Sequence, residues 1–226
     1  MKAMILAAGE GQRMRPLTLT TPKPLLCVHG TPLIVHHIQR LVAAGITDII
    51  INTAYLGAQI HAALGDGRSF GASIRYSHEG ATGLETAGGI RRALPLLGNN
   101  PFILVNADIY TDYDFHRLKH PSHSAAHLVL VNNPPQHPKG DFHLEYGLVR
   151  NLHATKHSHH AVPALTYSGI ARLHPQLFHD IPPGKHPLAP ILRHAADLGQ
   201  ISGEHYQGEW HDIGTPERLE ALNRGQ

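Results

Sequence analysis

Apolar strand patterns alternate with helical patterns along the first half of the chain, and this alternation restricts the fold more than any other feature. Segments 48–53 and 102–108 are apolar runs of the kind found in parallel strands covered on both faces. Segment 32–45 has apolar residues at helical spacing instead and ends at Gly45, a residue type that commonly stops a helix. Alternating strands and helices predict an α/β sandwich whose sheet is mostly parallel.

The same patterns predict the other elements. Strands are expected at 3–7, 48–53, 73–79, 102–108, 126–133 and 165–173. Helices are expected at 32–45, 58–65, 86–97, 188–199 and 215–224, the last with Thr215 as N-cap and Pro216 in its first turn. Segment 134–147 is rich in turn formers, and the histidine-bearing segment 153–160 is expected to be an exposed loop.

Composition narrows the classes of function. Lys and Arg total 19 and Asp and Glu total 17, so the net charge of +2 indicates no broad basic face for a nucleic acid. The single cysteine, Cys27, cannot form an internal disulfide, and a reducing compartment is expected. The first apolar run is too short for a secretory signal, and no window has the length of a membrane span. These features predict a cytoplasmic protein with neither a nucleic-acid nor a membrane partner.

A glycine-rich loop with cations follows the first strand. Gly9 and Gly11 can turn consecutive backbone N–H groups towards an anion, and Arg13 adds a planar fork that matches phosphate oxygens. Lys23 lies between two prolines, which stiffen the backbone that carries its ammonium group. The loop is therefore a candidate phosphate site, although an ordinary strand-to-helix turn would use the same two glycines.

Segment 6–18, LAAGEGQRMRPLT, and segment 21–26, TPKPLL, together resemble the signature of the sugar-1-phosphate nucleotidyltransferases. Further similar blocks follow in the family's order at 83–90, 102–114, 165–173 and 210–219. The resemblance implies a Rossmann-like three-layer sandwich with a mixed, mostly parallel central sheet and a cleft at the carboxyl ends of its strands. It also implies one nucleotidyltransferase domain, 1–226, that binds the nucleotide through residues 1–112 and the sugar through residues 113–226.

The resemblance also assigns roles to residues. Asp108 and Asp212 would hold Mg²⁺ together, a pairing that their distant positions in the chain could not predict. Arg13, Lys23 and Asp108 would be catalytic. The implied nucleotide-binding residues are Ala7, Ala8, Gly9, Gly11, Arg13, Lys23, Glu85, Thr86, Gly88 and Asn106. The implied sugar-binding residues are Asp141, Thr166, Tyr167, Ser168 and Gly169.

The substrates are less closely defined. The similarity is greatest to bacterial enzymes that join UTP and N-acetylmuramate 1-phosphate in peptidoglycan recycling. Mannose-1-phosphate guanylyltransferases and glucose-1-phosphate thymidylyltransferases share most of the same blocks. The acidic lactyl group of N-acetylmuramate requires a nearby cation, for which Arg172, Lys139 and a histidine are candidates.

Two other hypotheses concern different classes of function. A catalytically silent nucleotide-sugar sensor would have the same fold, but it would not need both metal carboxylates. His157, His159 and His160 would be ligands of a transition metal, although they lack the spacing of a defined zinc site. Lys156 has no clear counterpart in the family pattern, and the sequence makes no prediction about the oligomeric state.

Overall fold

The chain forms one large mixed sheet with helices on both faces, in a computed structural model that describes residues 1–80, 83–120, 124–153 and 162–225. The strands are β1 (Lys2–Leu6), β2 (Cys27–Val28), β3 (Thr31–Pro32), β4 (Asp48–Thr53), β5 (Ser73–His78), β6 (Phe102–Asn106), β7 (Ile109–Thr111), β8 (Ala126–Val131), β9 (Phe142–Glu145), β10 (Leu148–Asn151), β11 (Ala164–Leu173), β12 (Ile201–His205) and β13 (Trp210–Asp212). The α-helices are α1 (Leu33–Ala43), α2 (Gly57–Leu64), α3 (Glu85–Leu97), α4 (Leu188–Asp197) and α5 (Pro216–Arg224). Short 3₁₀ helices cover Gln12–Met14, Leu17–Leu19, Lys23–Leu25, Arg68–Phe70, Phe115–Lys119 and Pro175–Phe178.

The large sheet has nine strands in the order β5-β4-β1-β6-β11-β8-β12-β10-β9. Its first four strands are parallel, so their carboxyl ends lie at one edge. From β6 onwards the pairing is antiparallel except between β8 and β12. Because β9 also pairs with β11, the strands β11, β8, β12, β10 and β9 form a closed ring beside the parallel half.

The three layers follow from the alternation of side chains along each strand. Ile49 and Ile51 of β4 belong to the apolar cluster that includes α1 and α2, whereas Ile50 belongs to the cluster on the opposite face that includes α3 and α4. All three isoleucines are fully buried. The predicted three-layer sandwich with a mixed sheet is therefore confirmed, and the reason is a strand that is apolar on both faces. The prediction that the sheet is mostly parallel is wrong, because five of its nine strand pairings among the described residues are antiparallel, all of them from β6 onwards.

Two small sheets bring distant parts of the chain together. β7 pairs with β13 in antiparallel fashion, and Asp212 lies opposite Ile109. The two-residue strands β2 and β3 form the other small sheet, next to which α5 packs. None of the helices in the described residues has the length and hydropathy needed to cross a membrane.

The structure corrects several predicted boundaries. β6 ends at Asn106, so Asp108 lies beyond the strand and immediately before β7, not at the strand's last position. Thr215 occupies the N-cap of α5, but its side chain makes no capping hydrogen bond to the helix backbone. The turn-rich segment 134–147 contains β9, and β10 and β12 were not predicted at all. Residues 154–160 of the predicted exposed loop lie outside the described residues.

Candidate active site

The glycine-rich loop turns sharply directly after β1. Gly11 has a φ of +61°, and its carbonyl accepts hydrogen bonds from the Met14 N–H and the Thr18 hydroxyl, both at 2.8 Å. A Cβ at Gly11 would lie 3.0 Å from the Thr18 methyl carbon, so this turn requires glycine. A Cβ at Gly9 would meet no atom within 4 Å, because Gly9 borders open space. The loop is thus rigid at Gly11 and accessible to a ligand at Gly9.

This loop lines a cavity of about 490 Å³ at the carboxyl ends of the parallel strands. Nine of the ten predicted nucleotide-binding residues line it: Ala7, Ala8, Gly9, Gly11, Arg13, Lys23, Glu85, Thr86 and Asn106. Gly88 does not line the cavity. A Cβ there would lie 2.2 Å from the Gly184 carbonyl oxygen, so the structure gives Gly88 a packing role at the start of α3. The roles of the nine residues in binding a nucleotide remain predictions.

Lys23 and Asp108 form an ion pair in this cavity. Lys23 Nζ lies 2.7 Å from Asp108 Oδ2, and the lysine side chain is only 9% exposed. The methylene stem of Lys23 packs beside Gly11, which leaves the ammonium group at the cavity wall. The cation is therefore held in position by both its stem and its partner.

Asp108 and Asp212 come together through the pairing of β7 with β13. The Ile213 N–H donates to the Asp108 carbonyl at 3.0 Å, one residue beyond the last pair of the ladder. Both carboxylates line a second cavity of about 300 Å³, together with Arg13. This cavity shares Arg13, Asn106 and Asp108 with the first one, so the two adjoin.

The two carboxylates fit a divalent metal ion in the chemistry of their oxygens. Oδ2 of Asp108 is paired with Lys23, and Oδ2 of Asp212 lies 2.6 Å from Arg218 Nη1. Among the described residues, no partner is found for Oδ1 of either aspartate. Two carboxylates with available oxygens are the usual protein contribution to a Mg²⁺ site, whose remaining ligands are water and substrate phosphates. Within the described ranges, no cluster of three or more possible metal ligands occurs, here or elsewhere.

A buried histidine supports the segment that carries Asp108. His37 of α1 places Nε2 2.9 Å from the Ile109 carbonyl oxygen. Burial lowers the pKa of His37 to about 4, so the ring is neutral at pH 7. Because a carbonyl can only accept, Nε2 carries the proton and Nδ1 is the unpartnered acceptor. His37 therefore acts as a neutral support for β7 and not as a source of charge.

A buried polar network, which the sequence reasoning missed, joins the two walls of the larger cavity. Asn52 accepts a hydrogen bond from the Ala7 N–H at 2.8 Å and donates one to Glu79 Oε1 at 2.6 Å. Glu79 Oε2 accepts from the Leu84 N–H at 2.7 Å. The side chains of Asn52 and Glu79 both line the cavity, and both residues are buried. The signal was present in the sequence, because each residue is a polar group at the carboxyl end of a parallel strand.

Gly89 makes room for this network. A Cβ at Gly89 would lie 2.3 Å from Glu79 Oε1 and 3.1 Å from the Asn52 side-chain nitrogen. Glu85, at the start of the same helix, has a φ of +59°, a conformation that is rare for a residue with a side chain. Strained positions of this kind are concentrated at ligand sites, and Glu85 lines the cavity.

Replacing Asn52 tests whether this network positions the nucleotide. Asn52→Ala leaves the Ala7 N–H without its partner, and Asn52→Asp places a second carboxylate against Glu79. We expect the KM for the nucleotide to rise about tenfold in Asn52→Ala and further in Asn52→Asp, because like charges repel. The KM for the sugar phosphate should change little. Steady-state kinetics check this, with the exposed Asn99→Ala as control, and an unaltered nucleotide KM in both Asn52 variants would contradict it.

The predicted sugar-binding residues lie on the other side of Asn106. Thr166, Tyr167, Ser168 and Gly169 line the 300 Å³ cavity, and Asp141 and Tyr167 line a third one of about 560 Å³. Gly169 has a φ of +83°, and a Cβ there would lie 2.7 Å from the Asn106 amide nitrogen. The structure therefore brings all five residues to the cavities, while their contacts to a sugar remain predictions.

Several of these polar groups already have partners inside the protein. Asp141 accepts from the Tyr167 N–H at 2.9 Å and lies 3.0 Å from His137 Nε2. The Thr166 hydroxyl donates to Asn133 Oδ1 at 2.8 Å, and the Ser168 hydroxyl oxygen accepts from its own strand at 3.1 Å. The Tyr167 hydroxyl is buried without a partner among the described residues, and burial raises the pKa of Tyr167. These side chains shape the cavity walls as much as they offer contacts.

Two other aspartates have structural roles. Asp112 accepts a hydrogen bond from the Tyr206 hydroxyl. Asp114 is the N-cap of the 3₁₀ helix Phe115–Lys119 and accepts from the His116 N–H at 2.9 Å. Lys156, His157, His159 and His160 lie outside the described residues.

Comparison with known proteins agrees with this geometry. The sequence model of the Nucleotidyl transferase family matches residues 2–161. N-acetylmuramate alpha-1-phosphate uridylyltransferase from Neisseria meningitidis is 50% identical over 225 residues, which cover 97% of this chain and 95% of the relative. The enzyme of the same description from Caulobacter vibrioides is 33% identical over 95% of this chain and 92% of its own length.

A solved structure shows the same fold. A candidate glucose-1-phosphate thymidylyltransferase from Bacillus anthracis, in complex with sucrose, superposes with a TM-score of 0.83 over 99% of this chain and 94% of that chain, at 23% identity. Together, the family match, the relatives and the arrangement of the two cavities lead to one conclusion. The chain belongs to the nucleotidyl transferase family, and within it to the sugar-1-phosphate nucleotidyltransferases.

Proposed function

We propose that this chain transfers the uridylyl group of UTP to N-acetylmuramate 1-phosphate, which releases pyrophosphate and forms UDP-N-acetylmuramate, in the cytoplasmic recycling of peptidoglycan. The observation that carries the proposal is the meeting of the nucleotide-side and sugar-side cavities at Arg13, Asn106 and Asp108. The proposal includes a single domain, 1–226, whose nucleotide-binding part is 1–112 and whose sugar-binding part is 113–226.

The reaction requires positioned charge and no general base. An oxygen of the sugar phosphate attacks the α-phosphorus of UTP in line, and the bond from that phosphorus to the pyrophosphate oxygen breaks. A phosphomonoester has a second pKa of about 6, so the attacking oxygen is already anionic at pH 7. The protein's task is to hold the two phosphates together and to neutralise their charge.

The cations along the shared wall suit this task. Arg13 lines both cavities and would clamp the β- and γ-phosphates of UTP. Lys23 would neutralise the α-phosphate from its fixed position beside Asp108. Asp108 and Asp212 would hold Mg²⁺, which would supply further positive charge to the polyphosphate.

The part of the nucleotide cavity wall that contains Glu79 favours a nucleotide base with an imino N–H. Glu79 accepts two hydrogen bonds within the protein, and its carboxylate has lone pairs left for a third donor. Uracil N3–H can donate to such a group, as can the imino groups of thymine and guanine. Adenine and cytosine carry an acceptor at the corresponding ring nitrogen, so ATP and CTP fit this wall less well.

A matrix of substrates tests the proposal. UTP, GTP, TTP and CTP are each combined with the 1-phosphates of N-acetylmuramate, N-acetylglucosamine, mannose and glucose, and released pyrophosphate is measured with and without Mg²⁺. We expect the highest kcat/KM for UTP with N-acetylmuramate 1-phosphate. A preference for GTP with mannose 1-phosphate, or for TTP with glucose 1-phosphate, would replace the substrate assignment. Absence of pyrophosphate release from every pair would instead favour the silent sensor.

A further inference from the structure

The third cavity, of about 560 Å³, extends the site beyond the position of the reacting phosphates. It shares Glu85, Thr86 and Asn106 with the nucleotide cavity and Tyr167 with the 300 Å³ cavity. A group bound there is therefore continuous with the sugar and lies on the side away from Lys23 and Asp108, which do not line it.

The walls of this cavity combine apolar surface with one cation. Leu188 and Leu192 of α4 form part of the wall together with Phe142, and all three are buried. Arg193 is the one basic side chain among the described residues that line it. Arg193 is exposed, and its guanidinium makes no ion pair or hydrogen bond with any described residue. The acidic side chains that line the same cavity are Glu85 and Asp141.

The backbone that carries Arg193 is held firmly. The Asn151 side chain donates to the Arg193 carbonyl at 2.8 Å and to Asp197 Oδ1 at 2.7 Å, which joins α4 to β10. Ala195 and Ala196 of the same helix are buried in the core. An unpaired cation on a fixed helix, above an apolar wall, is suited to binding a small acid that also carries apolar carbon.

We propose that Arg193 binds the carboxylate of the lactyl ether of N-acetylmuramate 1-phosphate, while the lactyl methyl group packs against Leu188 and Leu192. This inference rests on the proposed function. N-acetylmuramate differs from N-acetylglucosamine only in this ether, so a cation here would select the acidic sugar. An arginine fork can pair with both carboxylate oxygens.

The cations that the sequence suggested as partners of the lactyl group do not line the third cavity. Arg172 donates to the His120 carbonyl at 2.8 Å and lines a cavity with Met1 and Lys2, at the opposite end of the parallel strands. Lys139 lines none of the three cavities of the site. His137 lines the 300 Å³ cavity and lies 3.0 Å from Asp141, whose carboxylate it faces.

The test measures the wild type, Arg193→Ala, Arg193→Lys and the control Arg92→Ala with three sugar phosphates. Arg92 is an exposed arginine of α3 that does not line the cavities. The ligands are N-acetylmuramate 1-phosphate, its neutral lactyl amide and N-acetylglucosamine 1-phosphate. KM and kcat are measured for each, or an inhibition constant where turnover is too slow.

For Arg193→Ala we expect the KM for N-acetylmuramate 1-phosphate to rise about tenfold. The constants for the lactyl amide, N-acetylglucosamine 1-phosphate and UTP should remain within about twofold of the wild type, because none of them involves the carboxylate. Arg193→Lys should be intermediate, since lysine keeps the charge without the planar fork. Arg92→Ala should match the wild type.

Three results would overturn the inference, and only the last of them would also overturn the proposed function. In the first result, Arg193→Ala raises the KM for all three sugar phosphates equally. In the second, it leaves the KM for N-acetylmuramate 1-phosphate unaltered. Either result would show that Arg193 does not bind the lactyl carboxylate, while the proposed reaction would still hold. If the wild type neither binds nor turns over N-acetylmuramate 1-phosphate, the proposed function fails and the inference fails with it.

Discussion

Asp108→Asn is expected to lower kcat by about three orders of magnitude while the chain remains folded. The carboxylate lies beside the point where the two cavities meet, and it would supply one of the two available anionic oxygens for a metal ion. Its side chain is 37% exposed, so the change disturbs the core little. Asparagine keeps the shape but cannot balance the charge of Lys23 or of a divalent ion. Pyrophosphate release across a Mg²⁺ titration measures the effect.

A matched control and a second variant sharpen this prediction. Asp180→Asn removes one exposed carboxylate that does not line the described cavities, and its kinetics should equal those of the wild type. Asp212→Asn should have an effect similar to that of Asp108→Asn. The double variant should be little worse than either alone, because residues that act as one unit are not additive. Near-normal turnover in a folded Asp108→Asn protein would remove Asp108 from the mechanism.

Lys23→Met is expected to lower kcat about a hundredfold, with a smaller change in the KM for the nucleotide. The ammonium group is nearly buried, and it is held at the cavity wall by the contact of its stem with Gly11 and by Asp108. Methionine keeps the stem but removes the positive charge that would offset charge on the α-phosphate. Because Asp108 is partly exposed, water can solvate the unpaired carboxylate, and the loss of stability should be about 1 kcal/mol.

A second variant, Lys23→Arg, tests whether a positive charge alone is sufficient at this position. The guanidinium group is planar and wider than the ammonium group, which lies 2.7 Å from Asp108 Oδ2, so it should not restore activity even though it keeps the charge. Lys139→Met serves as control, because Lys139 is exposed and outside the cavities. Thermal unfolding and steady-state kinetics are measured on all three proteins. A kcat within threefold of the wild type in Lys23→Met would show that this cation has no part in the chemical step.

The parallel half of the sheet was predictable because its strands are apolar on both faces. The predicted strand 48–53 has the same first and last residues as β4. The other predicted strands of this half begin or end one or two residues away from the observed ones. In a strand covered by helices on both sides, nearly every residue is apolar, so the local sequence is enough to predict the strand. The glycine-rich loop was predictable for a related reason, because Gly11 requires a backbone conformation that few other residues adopt.

The ring of strands beside it was harder to predict. β9 and β10 form a hairpin in which Glu145 lies opposite Leu148, with Tyr146 and Gly147 as the two turn residues. Both have positive φ values, of 51° and 80°. Asparagine or glycine normally occupies the first of these positions, so a tyrosine there does not indicate the turn. β12 is short and only partly buried, and a strand of this kind depends on its neighbours more than on its own composition.

By itself, the sequence determined the parallel strands, the helices that cover them, the rigid loop and the cations behind it, because each of these depends on short-range periodicity or on the backbone preferences of single residues. Only the tertiary structure decided that Asp212 lies beside Asp108, that Asn52 and Glu79 join the two walls, and that Arg193 and not Arg172 lines the sugar side. These contacts depend on strand pairing and helix packing between residues far apart in the chain. Local preferences carry no information about such pairings, because their free energy arises only when the distant partner is in place.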